Sequence, residues 1–278
     1  FLTNSEMKTQ SKFINWDING QGNIDSVWRI YEGQTFPLLR NFLKKVDLSN
    51  VSTQYNGKDQ SIINALMLDT NKLLVPISNT VVLETKKDAG NYQIALPNYY
   101  SNQHGYDLFG NGISNFIINP APLNITANDF SKLYGATKTF NGSEFKDIGL
   151  QNNETIGNVT LISNGSISTA TVNGGVGYDI IASNAIGGTF NANNYLITYN
   201  KGTLTVTPQN LVITANAASK IYGDVDSLTY NAPGLINGDL LQGSLSRVAG
   251  ENVGNYAIQQ GYLFNQNYII RFMPNNLS

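Results

Sequence analysis

Cysteine is absent from this 278-residue chain, and histidine occurs once, at His104. Disulfide frameworks, thiol nucleophiles, cysteine-ligated zinc and two-histidine mechanisms therefore lack their raw material. Charge is scarce: 17 basic and 19 acidic residues give a net charge of −2 and a charged fraction of 13%, against about 25% in an average globular chain. That balance leaves no electrostatic footprint for nucleic acid or for an anionic membrane surface. No run approaches the ~20 apolar residues of a membrane-spanning helix. Phe1 opens the chain without a basic segment or an apolar stretch, so we expect no signal peptide here and read the sequence as a piece cut from a longer chain. A thiol-free composition suits an extracellular bacterial surface protein, and that is the expected location.

What the chain does hold is asparagine, 39 residues of it, and 26 glycines, beside a hydrophobic fraction of 41%. The apolar content is enough to fill cores, so this is a turn-rich globular sequence and not a disordered one.

Internal repetition dominates the pattern. Leu123-Asn-Ile-Thr-Ala-Asn-Asp-Phe-Ser-Lys-Leu-Tyr-Gly135 returns as Leu211-Val-Ile-Thr-Ala-Asn-Ala-Ala-Ser-Lys-Ile-Tyr-Gly223, identical at nine of 13 positions. Gly149-Leu-Gln-Asn-Asn-Glu154 returns as Gly234-Leu-Ile-Asn-Gly-Asp239. A third element occurs at Ala89-Gly-Asn-Tyr-Gln-Ile94, Val176-Gly-Tyr-Asp-Ile180 and Val253-Gly-Asn-Tyr-Ala-Ile258. Closing segments begin at Tyr106, Tyr195 and Tyr268. These recurrences place modules at 46–122, 123–208 and 209–278, the last cut short, behind a β-rich junction at 1–45. Within the first module, Ser52-Thr-Gln-Tyr-Asn-Gly57 stands where the others carry Ser-Lys-x-Tyr-Gly.

The periodicity is that of strands. Leu123, Ile125 and Ala127 alternate with Asn124, Thr126 and Asn128, which gives one buried and one wet face. Asn and Gly pairs at 56–57, 110–112, 141–142, 164–165, 173–174 and 237–238 supply the positive φ of tight turns. Gly187-Gly188 reads as a further hairpin turn. Short helices are expected only at Pro37–Lys45 and Ser61–Leu68.

The Ile-Thr-Ala-Asn…Ser-Lys-x-Tyr-Gly opening and the Gly-Asn-Tyr-x-Ile strand resemble the tandem MBG and YDG modules of filamentous-haemagglutinin-like adhesins exported by two-partner secretion. Residues 123–208 look like a YDG module, 211–278 like an MBG module of the Tyr-Gly-x type, and 46–122 like a divergent member. Trp28-Arg-Ile-Tyr-Glu-Gly-Gln-Thr-Phe-Pro-Leu-Leu-Arg40 is similar to the segment that joins such modules to the β-helical part of an exoprotein. The resemblance implies small β-grasp-like folds in an elongated series, and an outer-membrane transporter as export partner. It carries no catalytic residues.

Candidate sites are few. Asp17-Ile-Asn-Gly-Gln-Gly-Asn-Ile-Asp25 follows an EF-hand loop up to its ninth position, but Trp28 stands where the bidentate glutamate belongs, so a polar hairpin is expected instead of a calcium site. His104 lies in a turn without triad partners. Asp224 and Asp226 follow Tyr222-Gly223 and are expected to stabilise a turn through their side chains. Tyr92, Tyr178 and Tyr256 recur at one position, as do Tyr134 and Tyr222, which argues for packing with tethered hydroxyls. Non-recurring Tyr99, Tyr100 and Tyr262 are the better candidates for stacking on a sugar. We therefore expect a mostly β protein, β-grasp-like with an Ig-like sandwich as the alternative. It would be non-enzymatic, without cofactor or metal, and would insert in no membrane. The function read from the sequence is that of structural and adhesive spacers in a large secreted surface adhesin. The alternative is a module that itself binds a glycan or protein on a host or neighbouring cell.

Overall fold

A computed structural model describes residues 1–62, 77–79, 84–95, 99–101, 106–110 and 112–278. The expected turn at His104 and most of the short helix expected at Ser61–Leu68 lie outside these residues. The described chain is mostly β, with three-residue 3-10 turns such as Arg40–Phe42 and Ala192–Asn194. Pro37–Lys45, expected as a helix, is instead the strand Leu38–Leu39, a 3-10 turn and the start of the strand Lys44–Asp47. Leu38 and Arg40 are buried on either side of half-buried Leu39, the period-2 burial of extended chain, and Phe42 is exposed where the 3-10 turn takes over. The chain forms two compact units: 1–123 with 149–155 and 189–197, and 124–148 with 156–188 and 198–278.

In the first unit, Ile113–Asn119 is the central strand of a three-stranded sheet. It runs parallel to Asn50–Gln54 and antiparallel to Gly90–Ala95, and Phe116 faces Val51 on one side and Tyr92 on the other. Lys44–Asp47 pairs in parallel with Tyr106–Phe109, Lys44 opposite Tyr106. Ile77–Asn79 and Tyr99–Ser101 form a two-stranded antiparallel ribbon.

The second unit repeats these registers. Leu204, in Gly202–Thr207, faces Phe130 in parallel and Tyr178 in antiparallel fashion. Leu277 likewise faces Ala218 in parallel and Tyr256 in antiparallel fashion. Gln209–Ala215 pairs in parallel with Tyr268–Met273, Gln209 opposite Tyr268. Alternation explains the burial: Leu211, Ile213 and Ala215 point into the core while Asn210, Val212 and Thr214 face water. The sheets thus mix parallel and antiparallel pairing, where an immunoglobulin-type sandwich is antiparallel throughout.

Five of the expected glycine turns have their glycine at positive φ: Gly57, Gly112, Gly142, Gly174 and Gly238. Gly165 does not; it sits inside a 3-10 turn whose Ser163 hydroxyl accepts from its N–H at 3.2 Å. Gly187 and Gly188 make no hairpin but end the strand Tyr178–Gly188, whose register against Ile156–Ile162 shifts earlier, between Ser183 and Ile186. The loop 17–28 is not a hairpin either. Ile18–Asn19 runs parallel to Trp28–Arg29, and the Asp17 carboxylate accepts from the Val27 N–H at 2.9 Å.

That parallel pair delivers Arg29 to an ion cluster in the first unit. Asp107, 0% exposed, takes Arg29 Nε at 3.1 Å and Arg40 Nη1 at 2.6 Å. The Arg29 guanidinium stacks 3.9 Å above the Tyr31 ring, whose hydroxyl donates to the Tyr106 carbonyl and accepts from the Leu108 N–H, both at 2.8 Å. The cluster fastens residues 18–40 to the strand Tyr106–Phe109. Asp107→Ala leaves two guanidiniums buried without a counter-charge and is expected to cost about 3–5 kcal/mol. Chemical denaturation measures the loss, and hydrogen exchange should place it in residues 1–123; a loss below ~1 kcal/mol would mean that water enters the cluster freely.

Candidate functional site

The recurrent elements meet at two places built to one plan, one inside each unit. In the first unit, the Tyr195 hydroxyl donates to Glu154 Oε2 at 2.7 Å and accepts from the Gln151 N–H at 2.9 Å. Tyr55 meets the Tyr195 ring edge-on, centroids 5.4 Å apart at 79°, and its own hydroxyl donates to Glu154 Oε1. In the second unit, the Tyr268 hydroxyl donates to Asp239 Oδ2 at 2.8 Å and accepts from the Ile236 N–H at 3.0 Å. Tyr134 meets the Tyr268 ring edge-on at 5.6 Å and 79°. Each ring edge thus points at its partner's face, the arrangement that the aromatic quadrupole favours.

The polar contacts repeat as well. Asn194 Oδ1 accepts from the Ala89 N–H at 2.7 Å, and Asn267 Oδ1 from the Val172 N–H at 2.9 Å. Asn152 Nδ2 donates to the Gly57 carbonyl at 3.0 Å, and Asn237 Nδ2 to the Ser168 carbonyl at 3.1 Å. Gly57 and Gly135 hold positive φ, and a Cβ on either would collide with the incoming Asn152 or Ile236 side chain. Glycine is required there twice over, for backbone conformation and for close approach. Around the second joint pack Leu211, Ile213, Val206 and Leu263, all buried.

Burial pushes Tyr55 up to about 12, helped by its hydrogen bond to Glu154. Tyr268 likewise rises to about 12 through burial and Asp239, against donation from Ile236. Burial raises Tyr195 and Tyr134 as well. A phenol held neutral against a carboxylate is a good hydrogen-bond donor and a poor acid. With the phenol oxygen of Tyr195 or Tyr268 also accepting a backbone N–H, the pair can join two surfaces.

Tyr92, Tyr178 and Tyr256 are half-buried, and their hydroxyls donate to the carbonyls of Asp88, Thr171 and Asn252 at 2.8, 2.9 and 2.7 Å. This is the tethered packing expected from their recurrence. Tyr222 departs from its counterpart: it is 73% exposed where Tyr134 is 3% exposed. Asp226 does more than shape a turn, pairing with Lys220 Nζ at 2.7 Å and Arg247 Nε at 2.6 Å; these two hydrogen bonds hold its carboxyl below the usual range. Tyr99 and Tyr100 lie on the strand Tyr99–Ser101 of the first unit, Tyr100 half-buried, and Tyr262 stands exposed in a turn of the second. Among the described residues no group of three or more His, Asp or Glu side chains could hold a metal ion, and no helix is long and apolar enough to cross a membrane. Glu154 and Asp239 were not singled out from the sequence. Their signal was the matched Gly-Leu-x-Asn-x-acid element, whose partner is a tyrosine some 30–40 positions away in each repeat.

The profile of the MBG domain, YGX type, matches residues 123–205 and again 211–278. The two matches cover more than half of the chain, which belongs to this family of surface- and adhesin-type, non-catalytic β modules. Both segments fall to the same YGX-type profile, although the first was set apart by sequence as YDG-like. No curated protein and no solved structure matches the chain.

A raised tyrosine pKa makes the folded state the better proton binder, so its stability contribution is complete below the unfolded value of about 10. It is lost as pH climbs through the folded value. Unfolding followed by phenolate absorbance should accelerate between pH 10 and 12, with Tyr55 and Tyr268 ionising only as their units open. Tyr268→Phe removes one donor and strands the Ile236 N–H and Asp239, an expected loss of about 1–3 kcal/mol that chemical denaturation would read.

Proposed function

We propose that the chain is a run of serial spacer modules in a secreted bacterial surface adhesin, and that residues 46–122 are a third, divergent MBG module ahead of the two matched ones. One observation carries the reading: the same tyrosine–carboxylate joint closes Tyr55 on Tyr195 and Glu154, and Tyr134 on Tyr268 and Asp239. Chemistry of this kind holds neighbours in register, and the repeated strand registers of Phe116, Leu204 and Leu277 support three copies of one module. A spacer needs fixed joints and nothing else, which is what these side chains supply. Export through an outer-membrane two-partner transporter and display outside the cell belong to the same reading, on the strength of the family's adhesin-type character. Receptor binding by the modules themselves is the second reading, and exposed Tyr262 is the observation in its favour.

A glycan array and a cultured-cell binding assay on the whole chain separate the two. The spacer reading expects no specific binding and no difference in a Tyr99→Ala, Tyr100→Ala, Tyr262→Ala triple variant. Saturable binding that this variant loses would replace the spacer with a receptor-contacting module.

A further inference from the structure

In each joint one partner supplies a socket: a tyrosine beside a glycine, and a backbone N–H from the turn preceding the Gly-Asn-Tyr or Gly-Tyr strand. The other supplies a plug: a tyrosine bound to a carboxylate, and an asparagine side chain. Tyr55, Gly57 and Ala89 make the first socket; Tyr134, Gly135 and Val172 make the second. Both socket tyrosines are at most 3% exposed.

The last matched segment carries the same socket with nothing in it. Tyr222 and Gly223 occupy the places of Tyr134 and Gly135, and Val253 takes the place of Ala89 in Gly-Asn-Tyr. Tyr222 is 73% exposed and Val253 95% exposed. A Cβ on Gly223 would meet nothing within 4 Å, although the residue keeps the positive φ, 91°, of its occupied counterpart at 86°. Between Tyr222 and the 250–255 turn lies a groove of about 280 Å³ floored by Tyr256 and Leu277. Lys220, Asp226, Arg247 and Glu251 are ion-paired with one another beside it, so no unpaired charge invites a charged ligand.

We propose that this face is the docking socket for one further module of the same YGX type, which inserts a tyrosine–carboxylate plug against Tyr222 and accepts the Val253 N–H with an asparagine side chain. The inference rests on the serial-spacer reading and extends it. Continuity with the two occupied joints is the argument: residue types, backbone conformation at Gly223 and the strand register of Leu277 all match sockets whose occupant is a module. A second copy of this chain is a poor occupant, since its plugs at Tyr195 and Tyr268 are already seated.

The test extends the full chain. A copy of residues 206–278 is fused after Ser278, so that Val206-Thr-Pro supplies the connection seen at the second joint. Amide exchange is then measured at Val253 and, as internal reference, at Val172. Docking predicts that the Val253 amide slows by at least about 100-fold on extension, and that Tyr268→Ala in the appended copy abolishes the slowing. Tyr268→Phe, which keeps the ring, should retain part of it and guards against simple misfolding of the copy. Unchanged exchange at Val253 with Val172 protected overturns the socket and leaves the spacer reading standing. An unprotected Val172 overturns both. Protection of Val253 in the unextended chain that grows with concentration would assign the face to a second copy and overturn the proposal.

Discussion

A carboxylate drawn part of the way out of water needs donors to replace the water it loses, and the joints of this chain are arranged around that demand. Half-buried Glu154 takes two tyrosine hydroxyls, and half-buried Asp239 takes that of Tyr268. The hydroxyls of Tyr195 and Tyr268 must in turn stand at the first residue of their strands, Tyr195–Asn200 and Tyr268–Met273, where the preceding asparagine reaches a backbone amide of the other partner. One polar contact therefore fixes strand start, loop position and the approach of a glycine. The apolar packing of Leu211, Ile213 and Val206 around the second joint is non-directional; register comes from the tyrosines.

Much of the architecture could be read from alternation and recurrence. The strand Ala121–Ala127 and the tethers of Tyr92, Tyr178 and Tyr256 follow from patterns that are local in sequence. The joints could not be read that way. The Glu154 and Tyr195 pair is 41 residues apart and Tyr55 lies 99 from Glu154, and period-2 patterning carries no information about which module a ring will face. Tyr222 illustrates the limit: it shares its motif with Tyr134, yet exposure differs because the environment of a socket is set by its occupant. Parallel pairing at Ile18–Asn19 was missed for another reason. An Asp, Asn and Gly run suits a hairpin equally well; the Asp17 carboxylate seated on Val27 and the backbone bonds from Trp28 and Ile30 to Asp17 and Asn19 hold the parallel pair instead.

The first unit shows what happens when something other than a module covers the same strand. Asp107 follows Tyr106 as Leu196 follows Tyr195 and Ile269 follows Tyr268; the two apolar residues are exposed, whereas Asp107 is sealed by Arg29 and Arg40. An ionic clamp of that kind tolerates no partner but its own, because either charge left alone is costly. The junction segment is thereby committed to one strand.

The parallel pairing of Phe130–Leu133 with Gly202–Thr207 has a further consequence. These strands lie near the beginning and the end of one repeat, so a pull applied along the chain drags them past each other lengthwise. Every bond of the ladder is then loaded together, in shear, and none can be peeled off before the next. Under tension such a repeat yields all at once or not at all.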